Sequence, residues 1–81
     1  MRLTYMGLDQ FRPGQSGVIV SVSGEGALRR RLLDMGLTPG TRVSVRKVAP
    51  FGDPLELVLR GYELTLRGED ARIIRMKKDP A

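Results

Sequence analysis

The sequence predicts a mainly β domain, a small barrel of about five short strands with one helix inserted after the first of them. Three observations carry that expectation. Only Glu25 to Met35 has helical apolar spacing, with Leu28, Leu32 and Met35 on one face and Arg30 and Asp34 on the other. Most other apolar residues alternate with polar ones in short runs bounded by glycine and proline. A chain of 81 residues, 41% apolar, supports one small core. So small a sheet, with leucine and valine on one face, buries that face best by curling on itself. The helix then covers one end.

Leu3, Met6, Leu8 and Phe11 scatter apolar side chains before the Pro13-Gly14 turn. This predicts a loose or strand-like start, then one helical turn that lays Leu8 and Phe11 on the core. Gly17 to Ser23 is rich in β-branched residues and reads as the first strand, with Val18, Val20 and Val22 on one side and Ile19 as an apolar exception. Gly24 and Gly26 let the chain turn into the helix, where neither Ser23 nor Glu25 is a strong cap. The helix ends at Met35: Gly36 suits the left-handed cap, Leu37 folds back on Leu32 or Leu33, and Pro39 cannot continue the helix.

Thr41 to Val48 alternates as a strand with Val43 and Val45 inward, and the break at Lys47-Val48 signals a bulge or the end of pairing. Ala49-Pro-Phe-Gly-Asp-Pro54 is a loop stiffened by its prolines. Phe51 has two readings there. It plugs one end of the barrel, or it stands out as a contact residue on a rigid loop that loses little entropy on binding. Leu55, Leu57 and Leu59 make the next inward face, Gly61-Tyr62 a bend, and Leu64 and Leu66 the inward face of the strand after it. Arg67 to Ala71 reads as a polar turn, and Arg72 to Met76 as the last strand, with Ile74 and Met76 on one side. The whole of 1–81 is expected to be one domain, loosely ordered at 1–7 and 77–81.

The chain has neither cysteine nor histidine. It therefore lacks disulfides, the usual general base and the commonest transition-metal ligand. Catalysis is not expected, nor is a bound cofactor or a dedicated metal site. The carboxylates show no calcium-loop spacing, and Val20 to Leu28 lacks the lysine and hydroxyl of a phosphate loop. Glu56 and Glu63 instead suit surface ion pairs.

Fourteen Lys plus Arg stand against nine Asp plus Glu, a formal charge of +5. Arg29-Arg30-Arg31 is the densest cluster, and on a helix these residues spread around the circumference rather than along one phosphate row. Nucleic acid would want aromatics beside such charge, and the chain offers only Tyr5, Phe11, Phe51 and Tyr62. A nucleic-acid-binding basic barrel is accordingly the second reading. No apolar run approaches the roughly 20 residues of a bilayer span. The first residues also lack a secretory apolar core, so a cytoplasmic address is expected.

Arg30-Arg-Leu-Leu-Asp-Met-Gly-Leu-Thr-Pro-Gly-Thr41, then Val43, Val45, Ala49-Pro-Phe-Gly-Asp-Pro54, Arg60-Gly-Tyr-Glu-Leu-Thr-Leu-Arg67, Ala71 and Ile74, together resemble the FeoA family of small ferrous iron transport accessory proteins. The resemblance runs from Leu8 to Met76. It implies an SH3-like barrel with a helical insertion after the first strand. It also implies a place beside the large ferrous iron transporter of the inner membrane, whose cytoplasmic part carries a GTP-hydrolysing domain. Similar barrels end iron-dependent repressors, but this chain has no DNA-binding helix pair. The partner is thus expected to be the transporter, with no direct membrane insertion and with weak self-association left open. The residues assigned to partner contact are Arg29, Arg30, Arg31, Leu37, Phe51, Asp53 and Tyr62.

Overall fold

The computed structural model describes residues 4–80. Six strands form one antiparallel sheet: β1 Thr4–Gly7, β2 Ser16–Val22, β3 Arg42–Val48, β4 Leu55–Leu59, β5 Tyr62–Leu66 and β6 Ile74–Lys78, in the order β1-β6-β2-β3-β4-β5. Helix α1, Gly26–Asp34, leaves the sheet after β2, and a single turn α2, Gly68–Ala71, links β5 to β6. Short 3₁₀ turns at Leu8–Gln10 and Pro50–Gly52 complete the chain.

The strand beyond the expected five is β1, so the helix follows the second strand in the chain rather than the first. Thr4 to Gly7 pairs with Lys78 to Arg75 of β6. Its pairing partner lies at the opposite end of the sequence, and its four residues carry no clean alternation, so no local signal marked it. Met1 to Leu3 and Ala81, where loose order was expected, lie outside the described residues; Thr4–Gly7 and Lys77–Lys78 are paired strand. The last strand also begins two residues later than expected, because Arg72 belongs to the turn after α2.

Elsewhere the inward faces fall as the alternation predicts. Val43, Val45, Leu55, Leu57, Leu59, Leu66, Ile74 and Met76 join one core cluster with Leu8, Phe11 and Leu32. Strand β2 is the exception. Its register against β6 shifts between Ile19 and Ser21, so the bulge at Val20 reverses the faces midway. Ile19 is buried, Val20 is exposed and Val22 is buried again. The expected Val18-Val20-Val22 face is therefore broken, and Ile19, read as the exception, is core. A second shift, between Val45 and Lys47 of β3, ends the alternation one residue before the predicted break.

Close approach of backbones requires glycine at Gly17, which pairs with Val43 on one side and Lys78 on the other. A Cβ there would lie 2.5 Å from the Lys77 carbonyl oxygen. The β4–β5 hairpin turns on Arg60 and Gly61, both with positive φ, at 49° and 82°. Two left-handed residues in a two-residue turn match the right-handed twist of the flanking strands.

Candidate functional site

Apart from the three arginines of α1, the residues assigned to partner contact fall into two regions, each built by a different part of the fold. The first lies where the end of α1 meets the β4–β5 hairpin. The Gly36 amide donates to the Leu33 carbonyl (3.0 Å) and the Leu37 amide to the Leu32 carbonyl (3.1 Å). These bonds form a Schellman cap, with Gly36 left-handed at φ 99°. The chain then folds back, which carries Leu37 into the core with no exposed surface. Leu37 is thus corrected from a contact residue to the apolar contact that closes the cap.

Tyr62, on β5, donates its hydroxyl to the Met35 carbonyl, one of the acceptors freed at the helix end. The residue remains 43% exposed. Arg60 reaches the same segment, donating from Nη2 to Thr41 Oγ1 at 3.0 Å, while Thr38 and Thr41 share a hydroxyl bond at 2.9 Å. Thr41 is buried, and these two bonds satisfy its side chain. Helix end and hairpin are therefore tied by polar bonds above an apolar base.

The arginine cluster on α1 is not a uniform positive face. Arg29 Nε donates to the Val22 carbonyl (3.0 Å), which fastens the helix to the end of β2. Arg31 turns the other way and pairs with Asp70 of α2 at 3.4 Å. Asp70 is mostly buried, and its partner lies far off in the chain, so nothing local foretold the contact. Arg30 is exposed, with no ion pair among the described residues.

Other arginines are similarly engaged. Arg42 pairs with Asp79, Arg46 with Glu63, and Arg67 with Glu69, while the Arg75 guanidinium lies 5.9 Å from the Tyr5 ring centre. Glu63 does serve as a surface ion-pair residue. So many internal partners leave less free charge to track a phosphate backbone than the net charge suggests.

The second region is the loop between β3 and β4. Phe51 is 104% exposed, so it plugs nothing, and the end-plug reading is corrected. The reason is its backbone: φ 67°, ψ 18° is left-handed, which swings the side chain away from the sheet. The Asp53 carboxylate accepts the Gly68 amide at 3.0 Å at the start of α2. A Cβ on Gly68 would meet the Gly52 carbonyl oxygen at 3.1 Å. That close approach seats the loop on α2. Asp9, Asp53, Glu69 and Arg72 line the shallow cleft beside Phe51. Asp9, Glu69 and Arg72 are not among the residues assigned to partner contact, because the Leu8–Gln10 turn and α2 bring them to the loop from distant segments.

Among the described residues no group of three or more acidic, histidine or cysteine side chains is arranged to hold a metal ion, and no helix is long and apolar enough to cross a membrane. A curled antiparallel sheet with one short helix, side chains filling its interior and exposed loops at its edges, defines an SH3-like small barrel. Residues 6–78 match the FeoA domain, and the chain belongs to the FeoA family, that of ferrous iron transport protein A.

One similar protein is an Fe(2+) transport protein A/Fe(2+) transporter FeoB fusion protein of Porphyromonas gingivalis, 38% identical over 72 residues. That match takes in 89% of this chain and 8% of the fusion protein, so the chain spans a small part of that relative. The solution structure of a FeoA-like protein from Clostridium acetobutylicum is 32% identical, with a TM-score of 0.87 over 100% of this chain and 93% of the other. The FeoA of Stenotrophomonas maltophilia, solved with zinc and described as a procaryotic SH3 domain protein, is 25% identical. Its TM-score is 0.78 over 91% of this chain and 95% of that one. The family is one of transport accessory domains, and it does not favour the nucleic-acid reading.

Proposed function

We propose that this protein is a non-enzymatic accessory factor of ferrous iron uptake that docks on the cytoplasmic part of the ferrous iron transporter. The observation that carries this reading is the Porphyromonas gingivalis relative, in which a FeoA segment and a FeoB transporter share one chain. A covalent link makes the encounter of two modules intramolecular, whereas a separate chain must supply the same encounter by surface affinity. The Stenotrophomonas maltophilia relative, put forward as a ferrous iron transport activating factor, points the same way. This chain offers the transporter a rigid barrel with aromatic and arginine side chains at its surface. Without histidine or cysteine it has few means of carrying Fe²⁺ or of performing acid–base chemistry.

The test is calorimetric titration of the purified chain into the cytoplasmic domain of its cognate transporter, with and without a non-hydrolysable GTP analogue, at two salt concentrations. Saturable binding of one chain per domain is expected. Absence of heat and of co-migration under all four conditions overturns docking on that domain.

A further inference from the structure

Phe51 combines a fully exposed ring with a left-handed backbone. Such a backbone conformation costs a non-glycine residue free energy. The backbone cost is met locally, because Phe51 follows Pro50 in a turn closed by the Gly52 amide on the Ala49 carbonyl at 2.9 Å, but the ring itself gains no burial from the fold. The loop is nonetheless held firmly, by the Asp53 carboxylate on the Gly68 amide and by the close contact of the Gly52 carbonyl with Gly68. A large aromatic held out on a braced loop has little entropy left to lose on docking, and buried aromatics dominate binding energy at protein interfaces.

The surroundings of the ring indicate what it meets. In a chain of net charge +5, Asp9, Asp53 and Glu69 stand around the cleft beside Phe51 against Arg72 and against Arg67, which pairs with Glu69. Its rim therefore carries one net negative charge on a basic molecule. A partner that matches it presents an apolar socket bordered by lysine or arginine.

We infer that the Ala49–Pro54 loop is the anchor of this protein, with Phe51 inserting into a basic-rimmed apolar socket on the transporter's cytoplasmic domain. This inference rests on the docking reading above and assigns its surface. Arg30 and Tyr62 then lie outside the anchor, and their removal has small effects on affinity.

The experiment compares the wild-type chain with Phe51→Gly and Phe51→Asn. Both replacements accept a left-handed backbone, so neither strains the loop. Thermal melts of both are expected at or above the wild-type temperature, while affinity for the cytoplasmic domain falls roughly tenfold or more. Glu69→Gln is expected to flatten the salt dependence of wild-type binding.

Equal binding by wild type and both Phe51 variants overturns the anchor and leaves docking intact. No binding even by wild type overturns docking and the anchor together. Self-association of the wild-type chain that is lost in Phe51→Gly, without any binding to the transporter domain, assigns the loop to a second copy and also overturns the inference.

Discussion

Gly36 holds φ at 99° at the end of α1, and a Cβ there would lie 2.7 Å from the Tyr62 hydroxyl. Two independent penalties thus meet at one position. A β-branched side chain resists the left-handed region, at about 1–2 kcal/mol for an ordinary L-residue. The Tyr62 ring must also move, which breaks its bond to the Met35 carbonyl. Gly36→Val is therefore expected to lower unfolding free energy by about 2 kcal/mol or more, read from the urea midpoint at constant slope. An unchanged midpoint would show that the cap does not hold the helix end. Phe51 is the opposite case, a left-handed residue where glycine relieves strain, and its replacement is expected to cost binding rather than stability.

Within α1, one side chain outweighs the rest. Leu32 is fully buried, whereas Leu28, Leu33 and Met35 only pack against the edge of the core. Leu32→Ala is expected to cost about 2–5 kcal/mol, the range for truncating a buried leucine. Leu33→Ala should cost clearly less, by the same denaturant measurement. Equal losses would mean that the helix presents a different face to the sheet. The arginines at positions 29 and 31 hold the helix at its two sides, on β2 and on α2. Arg31 is 63% exposed, so its pair with Asp70 adds little beyond orientation.

At the scale of the molecule, one core joins residues from β2 through β6, α1, α2 and the Leu8–Gln10 turn, with Met6 of β1 packed against it. No element has a core of its own. Unfolding is accordingly expected to be a single cooperative transition, with far-ultraviolet circular dichroism and tyrosine fluorescence superimposing across a urea titration. Tyr62 reports the helix end and hairpin, and Tyr5 the β1 edge. A separate early loss of helical signal would show that α1 is an independent unit. The same single core is what braces the exposed loops at its edges.

The alternation of Val43 with Val45, of Leu55 with Leu57 and Leu59, and of Ile74 with Met76 was enough to place the inward faces, because side-chain direction in a strand repeats every second residue whatever the strand pairs with. The cap at Gly36 and the turn at Gly61 were legible for a similar reason, since left-handed backbone favours few residue types. The family blocks of the sequence pointed to iron transport. Only the tertiary structure decided the rest. Strand β1, the bulge that buries Ile19 and exposes Val20, the burial of Leu37, and the meeting of Arg31 with Asp70 depend on partners distant in the chain. The exposure of Phe51 within its acidic rim belongs with them, because Asp9, Asp53 and the α2 turn that carries Glu69 and Arg72 come from three separate segments that meet only in the folded molecule.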